Sequence, residues 1–210
     1  MSHIVLLGDS IFDNAAYVPG GPDVVRQLRE RLPDGWKASL LAIDGDTARG
    51  VPSQMRRLPP DATHLVVSAG GNDALGASHL LGLGARSVAE AVGVLSEVQA
   101  GFADTYRSML GSVLAAGLPT ALCTIYDTRI AQPDHRIVRS ALALFNDEIS
   151  RAAFGAGLPL IDLRLVCDED RDYANPIEPS VAGGAKIAAA IARLAAEPPE
   201  NWRRPLVIAR

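Results

Sequence analysis

Five short apolar runs recur along this chain, and the stretches between them carry helical spacing. That alternation constrains the fold more than any other feature. Ile4 to Leu7 is apolar at every position, as expected of a strand covered on both faces of a parallel sheet. Ala38–Ile43, Leu65–Val67, Thr120–Tyr126 and Leu160–Leu163 give four more strands. Val24, Val25, Leu28 and Leu32 recur at helical intervals within Pro22–Leu32. Further helices are predicted over 88–116 (closed by Gly117 and Pro119), 137–156 and 181–194. Strands alternating with helices predict an α/β fold, a three-layer α/β/α sandwich with about five parallel strands and right-handed crossovers. The Pro-rich stretch 198–210 shows no periodicity and reads as a tail, so 1–210 is expected to form one domain.

Composition narrows the function. Apolar residues make up 48% of 210 and mean hydropathy is +0.14, enough for a core and incompatible with intrinsic disorder. Twenty basic residues against 24 acidic ones leave a net charge of −4, with no surplus to neutralise a phosphate backbone. Nucleic acid is therefore not an expected partner. Cys123 and Cys167 lack the spacing of a zinc site and cannot build a disulfide framework. The apolar run at Ile4–Leu7 is too short for a signal peptide or a membrane span, so the expectation is a cytoplasmic protein.

In an open parallel sheet, ligands bind beyond the carboxyl ends of the strands. The first three strands end in Gly8-Asp9-Ser10, Asp44-Gly45-Asp46-Thr47 and Gly70-Gly71-Asn72-Asp73. Any one such cluster is explained by turn chemistry alone. Three at equivalent places, one with a serine and one with an asparagine, suit acyl transfer. Ser10 offers a hydroxyl, while the Ser10 and Gly45 amides and the Asn72 side chain offer donors for an oxyanion. Glycine at 45 also lets the backbone approach a substrate, since no Cβ intervenes.

These blocks, with Ile11-Phe12-Asp13-Asn14 following the first, resemble the SGNH (GDSL-type) esterase/lipase superfamily over the whole chain. The resemblance implies a flavodoxin-like fold and ester hydrolysis by a nucleophilic serine. It puts that serine on Ser10, the second-block glycine on Gly45 and the third-block asparagine on Asn72. No cofactor or metal is implied.

The family's last block, Asp-x-x-His before the final helix, does not recur. Pro179, Ser180, Gly183 and Gly184 fix the register, so the histidine falls on Glu178 and the aspartate on Asn175. Three accounts stand open. Glu178 is itself the general base, its pKa raised by burial beside Ser10 and Asn175 as its neutral partner. Another histidine, His135 or His79, moves in. Or the chain has lost hydrolysis and only binds a ligand. His3 and His64 fall at the starts of strands, the wrong edge of the sheet. His135 reads more simply as an exposed residue of a helix's first turn, and His79 as a loop residue.

Other signals dissolve under inspection. Asp168 to Asp172 is a charge run without the glycine or terminal glutamate of a calcium loop. Gly82-Leu83-Gly84 does not join a strand to a helix, and Gly183-Gly184-Ala185-Lys186 lacks the hydroxyl residue of a phosphate loop. Asp9 and Asp73 are expected to brace loops. The expectation is thus a hydrolase of small carboxylic esters, with Ser10 as nucleophile, Glu178 as base beside Asn175, and Ser10, Gly45 and Asn72 as oxyanion hole. Its rival is a silent ligand-binding protein.

Overall fold

The computed structural model describes residues 2–131 and 133–209; Met1, Gln132 and Arg210 lie outside it. The predicted runs become β1 (Ser2–Gly8), β2 (Trp36–Leu40), β3 (His64–Ser68), β4 (Thr120–Cys123) and β5 (Pro159–Ile161). Two short strands, β6 (Tyr173–Asn175) and β7 (Glu178–Pro179), pair antiparallel with a bulge between them. A last strand, β8 (Leu206–Ile208), lies in the stretch the sequence left as a tail. Three residues are too few to show a period. The open edge of β5 supplies their partners, from Pro159 opposite Leu206 to Ile161 opposite Ile208. Trp202 in the same stretch is buried and donates its indole N–H to the Leu194 carbonyl at 3.1 Å.

The main sheet therefore has six parallel strands, one more than expected, in the order β2-β1-β3-β4-β5-β8. Helices α1 (Val24–Arg29), α2 (Val51–Met55), α3 (Gly71–Ala77), α4 (Val88–Leu114), α5 (Asp134–Gly155), α6 (Leu163–Val166) and α7 (Val181–Ala195) cover both faces. Side chains alternate across each strand. Ile4 and Leu6 pack with Val24, Leu28, Ile187 and Ile191 of α1 and α7. Val5 and Leu7 pack with Phe102 and Met109 of α4 and Ile149 of α5. A strand apolar at every position is what a sheet between two such layers requires.

The chain leaves β1 towards β2 on one side, then returns to lay β3 against β1's other edge. Strand order reverses there, which opens a crevice beyond the carboxyl ends of β1 and β3. Ser10 and Asn72 follow those two ends.

Candidate active site

The Ser10 turn is locked from below. Gly8 has φ of +126°, and a Cβ there would sit 1.7 Å from the Ser68 carbonyl oxygen, so only glycine fits. Gln54 of α2 binds both sides of this glycine: its Oε1 accepts the Gly8 N–H at 2.8 Å and its Nε2 donates to the Gly8 carbonyl at 2.7 Å. Asp9 donates its amide to Ser68 at 3.1 Å, while its Oδ1 accepts the Ile11 N–H at 3.1 Å. Among the described residues, the Ser10 amide has no protein acceptor.

Two side chains after β3 reach across to the β2–α2 loop. Asn72 Nδ2 donates to the Asp46 carbonyl at 2.8 Å, and Asp73 Oδ2 accepts the Ala48 N–H at 2.9 Å. Gly45 sits in that loop with φ of +78°, and its amide likewise has no protein acceptor among the described residues. One N–H of Asn72 holds the loop, which leaves the other for the cavity that Asn72 lines.

Glu178 arrives from the far end of the sequence. The Ser10 hydroxyl donates to Glu178 Oε1 at 3.1 Å, and both residues are buried. Glu178 Oε2 is buried without a hydrogen-bond partner among the described residues. Among the described residues, Asn175 makes no hydrogen bond to the carboxylate. Its Oδ1 accepts the N–H groups of Ile177 and Glu178, each at 2.9 Å, so it shapes the turn that aims Glu178. Around that turn, Asn14 Nδ2 donates to the Pro179 carbonyl at 3.2 Å and the Tyr126 hydroxyl to the Ile177 carbonyl at 2.8 Å. The charge run beneath it is tied down as well. Lys186 Nζ donates to Asp168 at 3.2 Å, Glu169 at 3.0 Å and fully buried Asp172 at 2.7 Å.

Burial dominates the electrostatics. It pushes the Glu178 carboxyl from 4.5 up to about 7; the Ser10 hydrogen bond pulls the other way and the negative Asp44 adds to the rise. Asp9 goes further, to about 8, again by burial, opposed by the Ile11 amide and reinforced by Glu178 and Asp73. Two neighbouring carboxyls thus titrate near neutrality, as is common at sites that move protons.

None of the four histidines lines the cavity beside Ser10. His3 sits between Ser39 Oγ at 2.8 Å and Asp61 Oδ1 at 3.1 Å. His64 lies against the rings of Trp36 and Trp202, and burial there pulls its pKa down to about 4. His79 is exposed near Gly76, and His135 occupies the first turn of α5. Among the described residues, no group of His, Cys, Asp and Glu is arranged to hold a metal ion, and no helix is long and apolar enough to cross a membrane.

Sequence reading missed Gln54, Asn14, Tyr126 and Lys186. All four act on backbone or carboxylates brought close only by folding, so no local pattern marks them. It also missed the cavity. Ser10, Asn72 and Glu178 stand in the wall of a chamber of about 290 Å³ between α3, α4 and α5. Away from them its lining turns apolar, with Leu80, Val98, Val138, Leu142 and Phe145.

The fold has solved counterparts. An extracellular lipase from Streptomyces rimosus superposes with a TM-score of 0.64 at 14% identity, covering 93% of this chain and 100% of its own. A lipase from a goat rumen metagenome gives 0.71 at 16%, covering 93% and 98%. A carbohydrate acetylesterase from Sinorhizobium meliloti gives 0.66 at 13%, covering 93% and 99%. At such identities the likeness is one of fold. A search of curated proteins finds no match. The sequence model of the GDSL-like lipase/acylhydrolase family matches residues 6–197, which span all the blocks that build this site, and the chain belongs to that family.

Proposed function

We propose that this protein is a serine hydrolase of carboxylic esters that works with a Ser10–Glu178 dyad in place of a serine–histidine pair. The observation that carries the reading is the hydrogen bond from Ser10 to Glu178 at 3.1 Å, at the wall of an apolar cavity. A serine hydroxyl is a weak nucleophile until a neighbouring base takes its proton. A carboxylate of ordinary pKa is a poor base for that task. Burial raises Glu178 to about 7, so near pH 7–8 it is ionised in a large fraction of molecules and still avid for a proton.

Ser10 Oγ attacks the ester carbonyl carbon as its proton passes to Glu178. The carbonyl π pair moves onto oxygen, where the Ser10 amide, the Gly45 amide and the spare N–H of Asn72 meet the new charge. Glu178 returns the proton to the departing alkoxide, leaving an acyl-enzyme on Ser10. Water then gives a proton to Glu178 and attacks the acyl carbon, and Ser10 leaves with that proton. Asn175 acts on Glu178 through the backbone, by holding the turn; an aspartate there would add a like charge beside a carboxylate base.

The test is labelling with a fluorophosphonate, with mass mapping of the adduct, alongside turnover of p-nitrophenyl acetate. An adduct on Ser10 that disappears in Glu178→Gln is the expected result. No adduct and no turnover between pH 6 and 9 would leave a silent ligand-binding protein.

A further inference from the structure

Beyond the reacting atoms, the cavity continues as a mainly apolar cleft. Its second half runs between α4 and α5, and an adjoining groove of about 500 Å³ lies against the same two helices. Four side chains belong to both linings: Leu81, Leu95, Ala141 and Leu144. These four side chains stand between the two hollows as a partition, and Val92 and Ile137 line only the second. The outer wall is lightly anchored. From Gly71 to Gly101 no residue is buried, and Leu75 of the cleft and Val92 of the adjoining groove are 52% and 57% exposed. Aliphatic side chains left uncovered around a cleft gain from a ligand that buries them.

Direction decides which part of an ester lies there. Glu178 must hand its proton to the departing oxygen, so the alcohol is assigned to the side of Glu178 that feels the negative charge of Asp44. That side is polar and open: the Tyr17 hydroxyl donates to exposed Asp44 at 2.9 Å. The acyl group is left the apolar cleft.

We infer that the substrate is an ester of a medium-length, unbranched fatty acid, and that Leu81, Leu95 and Leu144 set the longest chain accepted. This rests on the hydrolase reading above. Each methylene buried in the cleft should raise kcat/KM by roughly two- to fourfold until the partition is reached. Beyond it the gain should stop.

The experiment measures kcat/KM on p-nitrophenyl esters from acetate to palmitate, and on acetates of alcohols of matching lengths. It also measures decanoate binding to Ser10→Ala by calorimetry, which needs no turnover. The expected profile climbs from acetate to a maximum at hexanoate to decanoate and depends little on alcohol length. Ala141→Trp should lower the octanoate-to-acetate ratio at least tenfold, and Leu95→Ala with Leu144→Ala should move the maximum to longer chains. A profile flat in acyl length, or one that follows the alcohol, with no decanoate binding, overturns the inference while leaving a working hydrolase. Decanoate binding that Ala141→Trp abolishes, in a protein that hydrolyses no ester, supports the cleft and removes the hydrolase reading instead.

Discussion

Glu178 lies 168 residues after Ser10 in the chain and accepts a hydrogen bond from its hydroxyl at 3.1 Å, with the second carboxylate oxygen buried and unpartnered among the described residues. The pairing concentrates the consequences in one carboxyl group. Glu178→Gln keeps the shape and the hydrogen bond but cannot take the proton. Turnover should fall about 10²–10⁴-fold, the usual worth of a general base, with the circular dichroism spectrum unchanged. Full activity in this variant would remove Glu178 from the mechanism.

The pH profile should identify the base chemically. Activity needs ionised Glu178, so kcat/KM should rise with pH through an apparent pKa near 7 and then level off. A histidine would titrate in the same range, at about 6.5. Methanol separates the two. Ionising a carboxyl creates charge and is suppressed in a less polar solvent, so the midpoint should move up; an imidazolium loses charge and should hardly move. A midpoint indifferent to methanol counts against a carboxylate.

Asn72→Ala removes a proposed oxyanion donor and the tie to the Asp46 carbonyl. Loss of one such donor typically costs about 10²–10³ in kcat. KM on a short aryl ester should change much less than kcat. Unchanged kcat would show that Asn72 only holds the loop.

Stability should carry the mark of the two raised carboxyls. Asp9 rises from 3.8 to about 8 and Glu178 from 4.5 to about 7, so in that window the folded state binds more protons than the unfolded chain. Their contribution is present at low pH and is lost as pH climbs through the folded pKa values. Asp9→Asn should therefore flatten the fall in Tm between pH 5 and 8, read by calorimetry. A slope identical to the parent's would mean that Asp9 does not titrate there.

Lys186 offers a test of how the Glu178 turn is held. Lys186→Met removes the cation from the fully buried Asp172, whose Oδ2 then keeps the Glu169 amide as donor, and breaking a buried pair in this way costs about 3 kcal/mol at the lower end of the usual range. Near 210 residues that corresponds to roughly 6–12 °C in Tm. Adding Asp172→Asn should recover part of the loss, because no buried charge is then left alone. Two equal single-variant losses that simply add would show that the contact carries no coupling.

The sequence by itself determined the layers and the first three blocks of the site. Runs such as Ile4–Leu7 admit little other than a strand between two apolar layers, and Gly8, Gly45 and Gly70 all adopt positive φ at or after the strand ends where they were read as turns. These are local properties, set by side-chain volume and by the freedom glycine gives the backbone. It also singled out Glu178 by register, though it left open whether that residue, a distant histidine or nothing stood beside Ser10. Only the tertiary structure decided what adjoins what. Asn175, expected beside the carboxylate or bracing the loop that carries it, does the second, its Oδ1 accepting the N–H groups of Ile177 and Glu178. Leu206 to Ile208 has too few residues to declare itself a strand and becomes one because β5 leaves an edge open. Gln54, Asn14 and Lys186 bind groups that lie far away in the sequence, and the cavity belongs to α3, α4 and α5 together. Contacts of that kind arise from packing, and no single stretch of the chain encodes them.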